Sequence, residues 1–333
     1  MLDTTQANAA PKLEPRAETA ARLKKNGMLM PIFVVLIGIT VLLYPVIATQ
    51  WNNIQQQEVA SEYKSFVKEA DTAQLEDSLK RAHEYNKNRT VGPILDPWTA
   101  RLSDDNEPYK EYLEQLNLSG TMARIVIPSI HVDLPVFHGT RPDTLEQGIG
   151  HLFGTDLPIG GKNTHSVLTG HTGLQTATLF DNLKDVKEGA SIYVDVYGEK
   201  LRYVVYGTEV VLPEEAQNLY KVEGKDLLTL ITCTPYGINS HRLLVHAERA
   251  PMDEQAAQEL DEASGFTLQW WMWLFIAGAV LAMLALMWYV RKSKRQVDDA
   301  VVAPETATTA GTTTASDSDQ FNDIIFGTQG ERE

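Results

Sequence analysis

Two long, unbroken apolar segments dominate the pattern of hydrophobic and polar positions along the chain. They cover residues 28–48 and 270–290, and neither contains a charged residue. As a helix, each is about 31 Å long at ~1.5 Å per residue, which is enough to cross the ~30 Å hydrocarbon core of a bilayer. Because a helix satisfies its own backbone hydrogen bonds inside lipid, both segments are predicted to span a membrane.

Basic residues flank these segments on their outer sides. They are Arg16, Arg22, Lys24 and Lys25 before the first, and Arg291, Lys292, Lys294 and Arg295 after the second. The positive-inside rule therefore predicts a cell-membrane protein with both termini in the cytoplasm and residues 49–269 outside. The alternative for the first segment is a cleaved signal peptide, since Val46-Ile47-Ala48 ends in a small residue. The length of the segment favours an uncleaved anchor.

Helical periodicity continues directly after the first apolar segment. Apolar residues at spacings of three and four form one stripe, comprising Val59, Tyr63, Phe66, Val67 and Ala70. This spacing predicts an amphipathic helix, and Asp71 is a candidate cap for a second one. A loop-like stretch follows at 90–108, and residues 109–118 are predicted to form one more short helix.

From Met122 to Arg249 the pattern changes to short runs typical of β-strands, separated by turn residues. Seven or eight such runs, with one predicted helix at Thr178 to Lys184, indicate a closed β-barrel or a sandwich. The chain is thus mainly β in its central part, with helices before it and an apolar segment after it.

Composition excludes some function classes. The net charge is −15 at pH 7, which argues against nucleic acid as a partner, because such proteins present basic surfaces. The single cysteine rules out an intramolecular disulfide. Its thiol is therefore either packing or a reactive group. No histidine has an acidic or second cysteine ligand at metal-binding spacing, so no metal site is predicted.

Three residues carry the candidate chemistry. Cys233 ends an apolar run and precedes a Pro/Gly loop, where a scaffold commonly presents a side chain to substrate. His171 lies between glycines in TGHTG, and Arg242 begins the strand that follows Cys233. If the two strands form a hairpin, Arg242 and Cys233 are neighbours at one rim. Each residue alone has an ordinary interpretation: a packed thiol, a turn histidine and a surface arginine.

Together these motifs resemble those of the sortases. The similarity rests on TGHTG (169–173), TLITC (229–233) and the arginine nine residues after the cysteine, and it covers roughly residues 122–249. The longer strings at 148–173 and 232–245 resemble class C, the pilus-assembling sortases. This resemblance implies an eight-stranded sortase-type β-barrel with an N-terminal helical extension and a lid, flanked by two transmembrane helices. Many relatives have arginine where this chain has Thr172, which affects a peripheral substrate contact.

The resemblance also implies a function. Cys233 is expected to be the nucleophile that cleaves an LPXTG-type sorting signal between Thr and Gly. His171 is expected to be the general acid and base, and Arg242 the stabiliser of the oxyanion or substrate. Thr169 and Thr232 are assigned to substrate binding. The expected partners are pilin subunits that supply sorting signals and acceptor lysines, together with membrane lipid, and no cofactor is required.

A lid is expected over this site. Asp96-Pro97-Trp98 matches the Asp-Pro-aromatic motif of class C lids. We expect Asp96 to pair with Arg242 and Trp98 to lie over Cys233, which would shield the thiol until substrate arrives. Without the resemblance, the same three residues are an ordinary Asp-Pro turn.

Domain boundaries and alternatives follow. The predicted segments are a cytoplasmic disordered tail (1–27), a transmembrane helix (28–48), a helical extension (49–89), a lid loop (90–108), the catalytic barrel (109–250), a linker (251–269), a transmembrane helix (270–290) and a second disordered tail (291–333). Other functions that fit the sequence are a housekeeping sortase that anchors surface proteins to the cell wall, a cysteine peptidase, and a non-catalytic membrane-tethered adaptor with an inert thiol.

Overall fold

The alternating segments in the central part of the chain form eight strands. They are β1 (Ala123–Ile127), β2 (Val132–His138), β3 (Ile149–His151), β4 (Thr164–Thr169), β5 (Ser191–Val196), β6 (Glu199–Val211), β7 (Asp226–Thr234) and β8 (His241–Ala250). In the computed structural model, which describes residues 16–89, 92–98, 105–263 and 268–302, these strands close into a barrel in the order β1-β2-β3-β4-β7-β8-β6-β5. The predicted barrel is therefore confirmed, and the sandwich alternative is excluded.

Two parallel pairings interrupt an otherwise antiparallel barrel. They join β2 to β3 and β4 to β7. Alternation along β7 sends Leu228 and Leu230 into the main core, while Ile231 joins a smaller cluster on the other face with Val167 of β4. On β4, β7 and β8, the side chains that point away from the barrel core therefore form one shared outer face.

The first helix is longer than the sequence predicted. α1 runs without interruption from Arg16 to Glu69, so the transmembrane segment at 28–48 and the extension beginning at 49 are one element. The sequence predicted a disordered tail at 1–27, whereas residues 16–27 are helical in the structure. These residues are rich in Ala, Glu, Arg and Lys, and extending an existing helix through such residues costs little once it is nucleated. Residues 1–15 lie outside the described residues.

α1 packs on the barrel through the predicted stripe. Tyr63 is buried, and its hydroxyl accepts a hydrogen bond from the backbone N–H of Tyr197 at 2.8 Å. Phe66, Val67 and Ala70 pack against the same core. The chain then turns at Asp71, whose carboxylate accepts from the N–H of Ala73 and caps α2 (Thr72–Asn88). The predicted Asp cap is therefore present.

Two short helices precede and interrupt the barrel. α3 (Glu107–Glu114) begins two residues before the short helix that the sequence predicted and ends four residues earlier, and α4 (Pro142–Gln147) follows β2. Of the predicted lid loop at 90–108, residues 90, 91 and 99–104 lie outside the described residues. The remaining part of this loop, around Asp96, contacts the site described below.

The segment after the barrel also differs from the prediction. Residues 251–269 were expected to be a linker, but they contain α5 (Glu254–Glu262), which Asp253 caps. Ala256 and Leu260 of α5 are buried against Val126 and Tyr193. An apolar pattern of only two positions, one helical turn apart, is too short to distinguish from a linker in the sequence.

The C-terminal helix, α6 (Trp270–Val302), is likewise longer than the apolar segment. The sequence predicted a disordered tail at 291–333, whereas residues 291–302 continue the helix, for the same reason as at the N-terminal end. Residues 303–333 lie outside the described residues. α1 and α6 each contain a stretch long and apolar enough to cross a membrane.

The helix predicted at Thr178 to Lys184 is absent. The chain there forms turns, followed by a single 3-10 turn at Leu183–Asp185. Two backbone N–H groups of this segment bond residues that are distant in sequence. The N–H of Thr178 donates to the Asn53 side chain, and the N–H of Phe180 donates to the carbonyl of His171. These tertiary contacts override the local helical preference.

Truncating Leu260 to alanine should lower the free energy of unfolding by about 2–4 kcal/mol, the usual cost of a cavity left by a buried leucine. The effect is expected because Leu260 is 2% exposed and anchors α5 on the barrel. Urea titration of the full chain in detergent measures it. Gln255→Ala, at an exposed position of the same helix, is the matched control. A loss below about 0.5 kcal/mol in Leu260→Ala would show that α5 is not held on the barrel.

Candidate active site

Strand order places the three predicted site residues side by side. In the antiparallel pair of β7 and β8, Cys233 lies directly opposite Arg242. On the other side of β7, Thr169 of β4 pairs with Ile231, and the N–H of Gly170 donates to the carbonyl of Ile231 at 3.1 Å. Because this parallel pairing leads towards the end of β7, His171 follows beside Cys233. Continuing the register of β4 beyond its last residue thus places His171 on one side of Cys233, with Arg242 on the other.

Cys233 is held as a neutral thiol in this conformation. The residue is 7% exposed, and burial raises the pKa of its thiol to about 11. The Arg242 guanidinium acts in the opposite direction, and the Asp96 carboxylate adds to the increase. The thiol is the weak form of the nucleophile, so this state of the site is poorly reactive.

His171 is held as a neutral imidazole. Burial lowers the pKa of His171, and the negative charge of the Glu146 carboxylate acts against that effect. The indole N–H of Trp98 lies 3.2 Å from Nδ1 of His171. Since an indole nitrogen only donates, Nδ1 must accept, and the proton of the neutral ring is on Nε2. Protonating Nδ1 would break this contact.

Arg242 is fully engaged by the same loop. Its Nε and Nη2 donate to the two carboxylate oxygens of Asp96 at 2.6 and 3.0 Å, a bidentate ion pair in which both side chains are buried. Nη1 donates to the carbonyls of Asn239 and His241. The Trp98 ring lies 4.6 Å from the guanidinium carbon. Burial alone would lower the pKa of Arg242, but the hydrogen bonds to Asp96, together with the charges of Asp96 and of an ionised Cys233, outweigh it and raise the pKa.

The lid expectation is therefore met in its main feature and changed in detail. Asp96 pairs with Arg242 as predicted. Trp98, which was expected to lie over Cys233, contacts His171 and Arg242, the residues on either side of it. Pro97 lies between the two and turns the chain, so that one short segment reaches both neighbours of the thiol.

The lid also fills the groove beside the site. Ile94 is buried against Val167, Ile231 and Leu244, on the outer face that β4, β7 and β8 share. Trp98 packs against the same cluster. Apolar contacts and the Asp96 ion pair together hold the segment closed, and any ligand that used this face would have to displace them.

The two predicted substrate-binding threonines have different surroundings. Thr232 is buried, and its hydroxyl donates to the carbonyl of Gly170 at 2.8 Å. Alternation places Thr232 on the face opposite Cys233, so its assignment to substrate binding stays a prediction that this geometry does not favour. The residue supports the histidine loop instead. Thr169 lies on the same face of β4 as Val167, and its buried hydroxyl has no hydrogen-bond partner among the described residues.

Asp181 is a supporting residue that the sequence did not indicate. Its carboxylate accepts the N–H of Gly173 at 2.7 Å and the hydroxyl of Thr172 at 3.1 Å. Thr172, the position at which this chain lacks the arginine mentioned above, therefore stabilises the histidine loop through its own hydroxyl. No local pattern marks Asp181, because its partners lie eight and nine residues away across an irregular turn.

Comparison with known proteins identifies the fold around this site. The family model for the sortase domain matches residues 125–250. The solved structure of sortase C-1 from Actinomyces oris is 56% identical, with a TM-score of 0.53, and covers 54% of this chain and 99% of that one. Sortase C of Streptococcus pneumoniae, described for its pilin substrate specificity, is 38% identical, with a TM-score of 0.54, and covers 59% of this chain and 97% of that one.

A curated relative matches over a shorter stretch. Sortase A of Streptococcus agalactiae is 31% identical over 127 residues, which is 37% of this chain. The match spans about half of that relative, 51% of its length.

Proposed function

Because this chain belongs to the sortase family, we propose that it is a membrane-anchored cysteine transpeptidase with Cys233 as its nucleophile. The observation that carries the proposal is the position of Cys233, the only cysteine of the chain. Its thiol lies at one end of the barrel, with His171 on one side and Arg242 on the other. A packing thiol needs neither neighbour, whereas a nucleophilic one needs a proton-transfer group and a cation.

The reaction begins when the Asp96-Pro97-Trp98 segment moves away from Arg242 and His171. Opening hydrates Cys233, removes the Asp96 carboxylate and frees Arg242, and each change lowers the pKa of the thiol or exposes it. The thiolate sulfur then attacks the carbonyl carbon of the threonine in a sorting signal. The carbonyl π electrons move onto oxygen, and the guanidinium of Arg242 donates hydrogen bonds to that oxyanion.

Collapse of this intermediate breaks the Thr–Gly bond. His171, protonated in the open site, gives its proton to the departing glycine amine, and an acyl thioester remains on Cys233. A primary amine then attacks the thioester, and His171 takes the proton that the amine loses. The C–S bond breaks, an amide forms, and Cys233 leaves as the thiolate with which the cycle began.

We propose pilin subunits as substrates, with a lysine of one subunit as the acceptor for the next. Support comes from the similarity to sortase C proteins, one of which is described for its pilin substrate specificity, and from the closed Asp96-Pro97-Trp98 segment. Thr169, whose hydroxyl is unpaired among the described residues on the groove face, is proposed to bind the substrate backbone. The basic flanks of the two apolar segments favour an extracellular site and cytoplasmic termini.

The test uses the full chain in detergent with an LPXTG peptide, followed by intact mass spectrometry. The expected result is a covalent adduct of the peptide part up to threonine, which disappears when a lysine-containing pilin peptide is added and yields an amide product. Hydrolysis without any amine-dependent product would favour a peptidase. Use of a cell-wall precursor amine in preference to lysine would favour a housekeeping sortase. Absence of any adduct, also after the lid is opened by mutation, would favour the adaptor.

Changing Arg242 to lysine should lower kcat/KM for this reaction by about 10²–10³-fold, the usual cost of losing an oxyanion donor. Lysine keeps the charge but lacks the planar fork that donates two hydrogen bonds at once. Initial rates with the LPXTG peptide measure the loss. Arg249→Lys is the control, because Arg249 is on the same strand and its guanidinium lies over Tyr203. Equal rates in the two variants would contradict the assignment of Arg242.

A further inference from the structure

A row of polar side chains lies on α1 directly after its apolar segment. Thr49, Asn52 and Asn53 are spaced by three and four residues, so they share one face of the helix. Thr49 is 2% exposed, and the two asparagines are half-buried. Polar side chains in such a position need partners, and the partners of these three all belong to one loop of the catalytic domain.

That loop is 175–178, which follows the histidine loop. The Thr49 hydroxyl donates to the carbonyl of Gln175 at 3.0 Å, and the Asn52 amide donates to the carbonyl of Thr176 at 2.8 Å. The Asn53 side chain bonds Thr178 twice: its amide donates to the hydroxyl at 2.9 Å, and its oxygen accepts the backbone N–H at 3.0 Å. Four hydrogen bonds therefore join one helical turn to three of the four residues in this loop.

The segment that follows this loop is hydrogen-bonded to His171. Two residues after Thr178, the N–H of Phe180 donates to the carbonyl of His171 at 3.0 Å. The next residue, Asp181, accepts the N–H of Gly173 and the hydroxyl of Thr172. A side chain at Gly170 would place its first carbon 2.7 Å from the Phe180 ring, so ring and backbone are in close contact. The path from α1 to the imidazole is short and continuous.

The loop is held by apolar contacts of Leu174, Ala177 and Leu179 with the main core, and its polar backbone groups need partners as well. Residues 174–178 belong to neither a helix nor a strand, and the carbonyls of Gln175 and Thr176 find their hydrogen-bond partners in side chains of α1. Since α1 supplies those side chains, the geometry of the loop depends on the helix. A catalytic group displaced by about 1 Å loses about 10²-fold in rate, so such a dependence affects turnover.

We infer that the first turn of α1 beyond its apolar segment positions His171, so that the anchor helix is part of the support of the active site. Thr49, Asn52 and Asn53 are positioning residues, which act on the imidazole through the 175–181 segment. This inference rests on the proposed function for its catalytic consequence, but its structural part, the orientation of the His171 ring, stands independently of the reaction.

The test compares the double variant Asn52→Ala/Asn53→Ala with the parent, as full chains in lipid nanodiscs. With the LPXTG peptide and an acceptor amine, kcat is expected to fall about 10-fold or more while KM changes by less than about 2-fold, because the groove residues are untouched. Gln55→Ala, at an exposed position of the same helix, should match the parent. NMR titration of the His171 ring, assigned by its absence in His171→Gln, should show a shifted midpoint only in the double variant.

A second pair of variants keeps the test valid if the double variant folds poorly. Thr49→Val has nearly the same shape but lacks the donor, and Thr49→Ser restores it. We expect the valine variant to move the His171 titration and the serine variant to return it to the parent value. If the parent acylates and all the variants match it in kcat and in titration, the inference is wrong. If the parent does not acylate, the proposed function fails, and the titration alone decides the inference.

Discussion

Replacing Cys233 by alanine is expected to abolish covalent acylation by a sorting-signal peptide and to lower transpeptidation by at least about 10⁴-fold. The size of the effect follows from the chemistry, because the reaction path through a thioester cannot form without the sulfur. Cys233 is the only cysteine in the chain, so any thioester or alkylation product seen by intact mass spectrometry reports this residue alone.

A second variant separates the nucleophile from its proton-transfer partner. His171→Ala keeps the thiol and should still be alkylated by a small reagent, while its acylation by peptide falls about 10²–10⁴-fold. Turnover in Cys233→Ala close to that of the parent would contradict the central assignment. Acylation unaffected by loss of His171 would leave Cys233 in place but remove the histidine from the mechanism.

Opening the lid is expected to give the second large effect. In Asp96→Ala/Trp98→Ala, alkylation of Cys233 near pH 7.5 should rise about 100-fold, because the thiol leaves an environment in which its pKa is about 11. Each unit by which the pKa falls towards its ordinary value of about 8.5–9 gives tenfold more thiolate at a pH below both values. The rate of alkylation against pH should therefore have a lower midpoint in the variant than in the parent.

Matched variants identify which contact holds the lid. Leu95→Ala changes an exposed residue of the same segment and should alkylate like the parent. Asp96→Asn keeps the shape but loses the charge that pairs with Arg242, and Trp98→Phe keeps a ring but loses the N–H that bonds His171. Identical alkylation rates across parent, Asn and Phe variants would mean that the closed segment does not control the thiol.

Much of the site could be predicted from local sequence patterns. The hairpin expected between two adjacent apolar runs brings Arg242 opposite Cys233, and the period of two along β7 places Ile231 and Cys233 on one face. These predictions succeed because they depend on a period of two residues and a short connection. The position of His171 beside Cys233 is different. It depends on the parallel pairing of β4 with β7, about 60 residues apart, and only the resemblance to sortases anticipated it.

The structure departs from the sequence-based expectations for two physical reasons. The helix expected at Thr178 to Lys184 is replaced by turns whose backbone groups bond Asn53 and His171, and Thr232 supports the histidine loop where it was expected to bind substrate. In both cases the deciding partner is distant in sequence. The helices extend to Arg16 and Val302, beyond their apolar segments, because good helix formers extend a nucleated helix whether they are apolar or polar.

The continuity of α1 has a consequence for how substrates are selected. Thr49 and Asn53, which hold the histidine loop, lie within about 8 Å of the end of the apolar segment at ~1.5 Å per residue. With that segment in a bilayer, the active site is held at a fixed, short distance from the lipid surface. Under the proposed function, a peptide bond of the substrate can therefore be cleaved only if it comes to that height above the lipid.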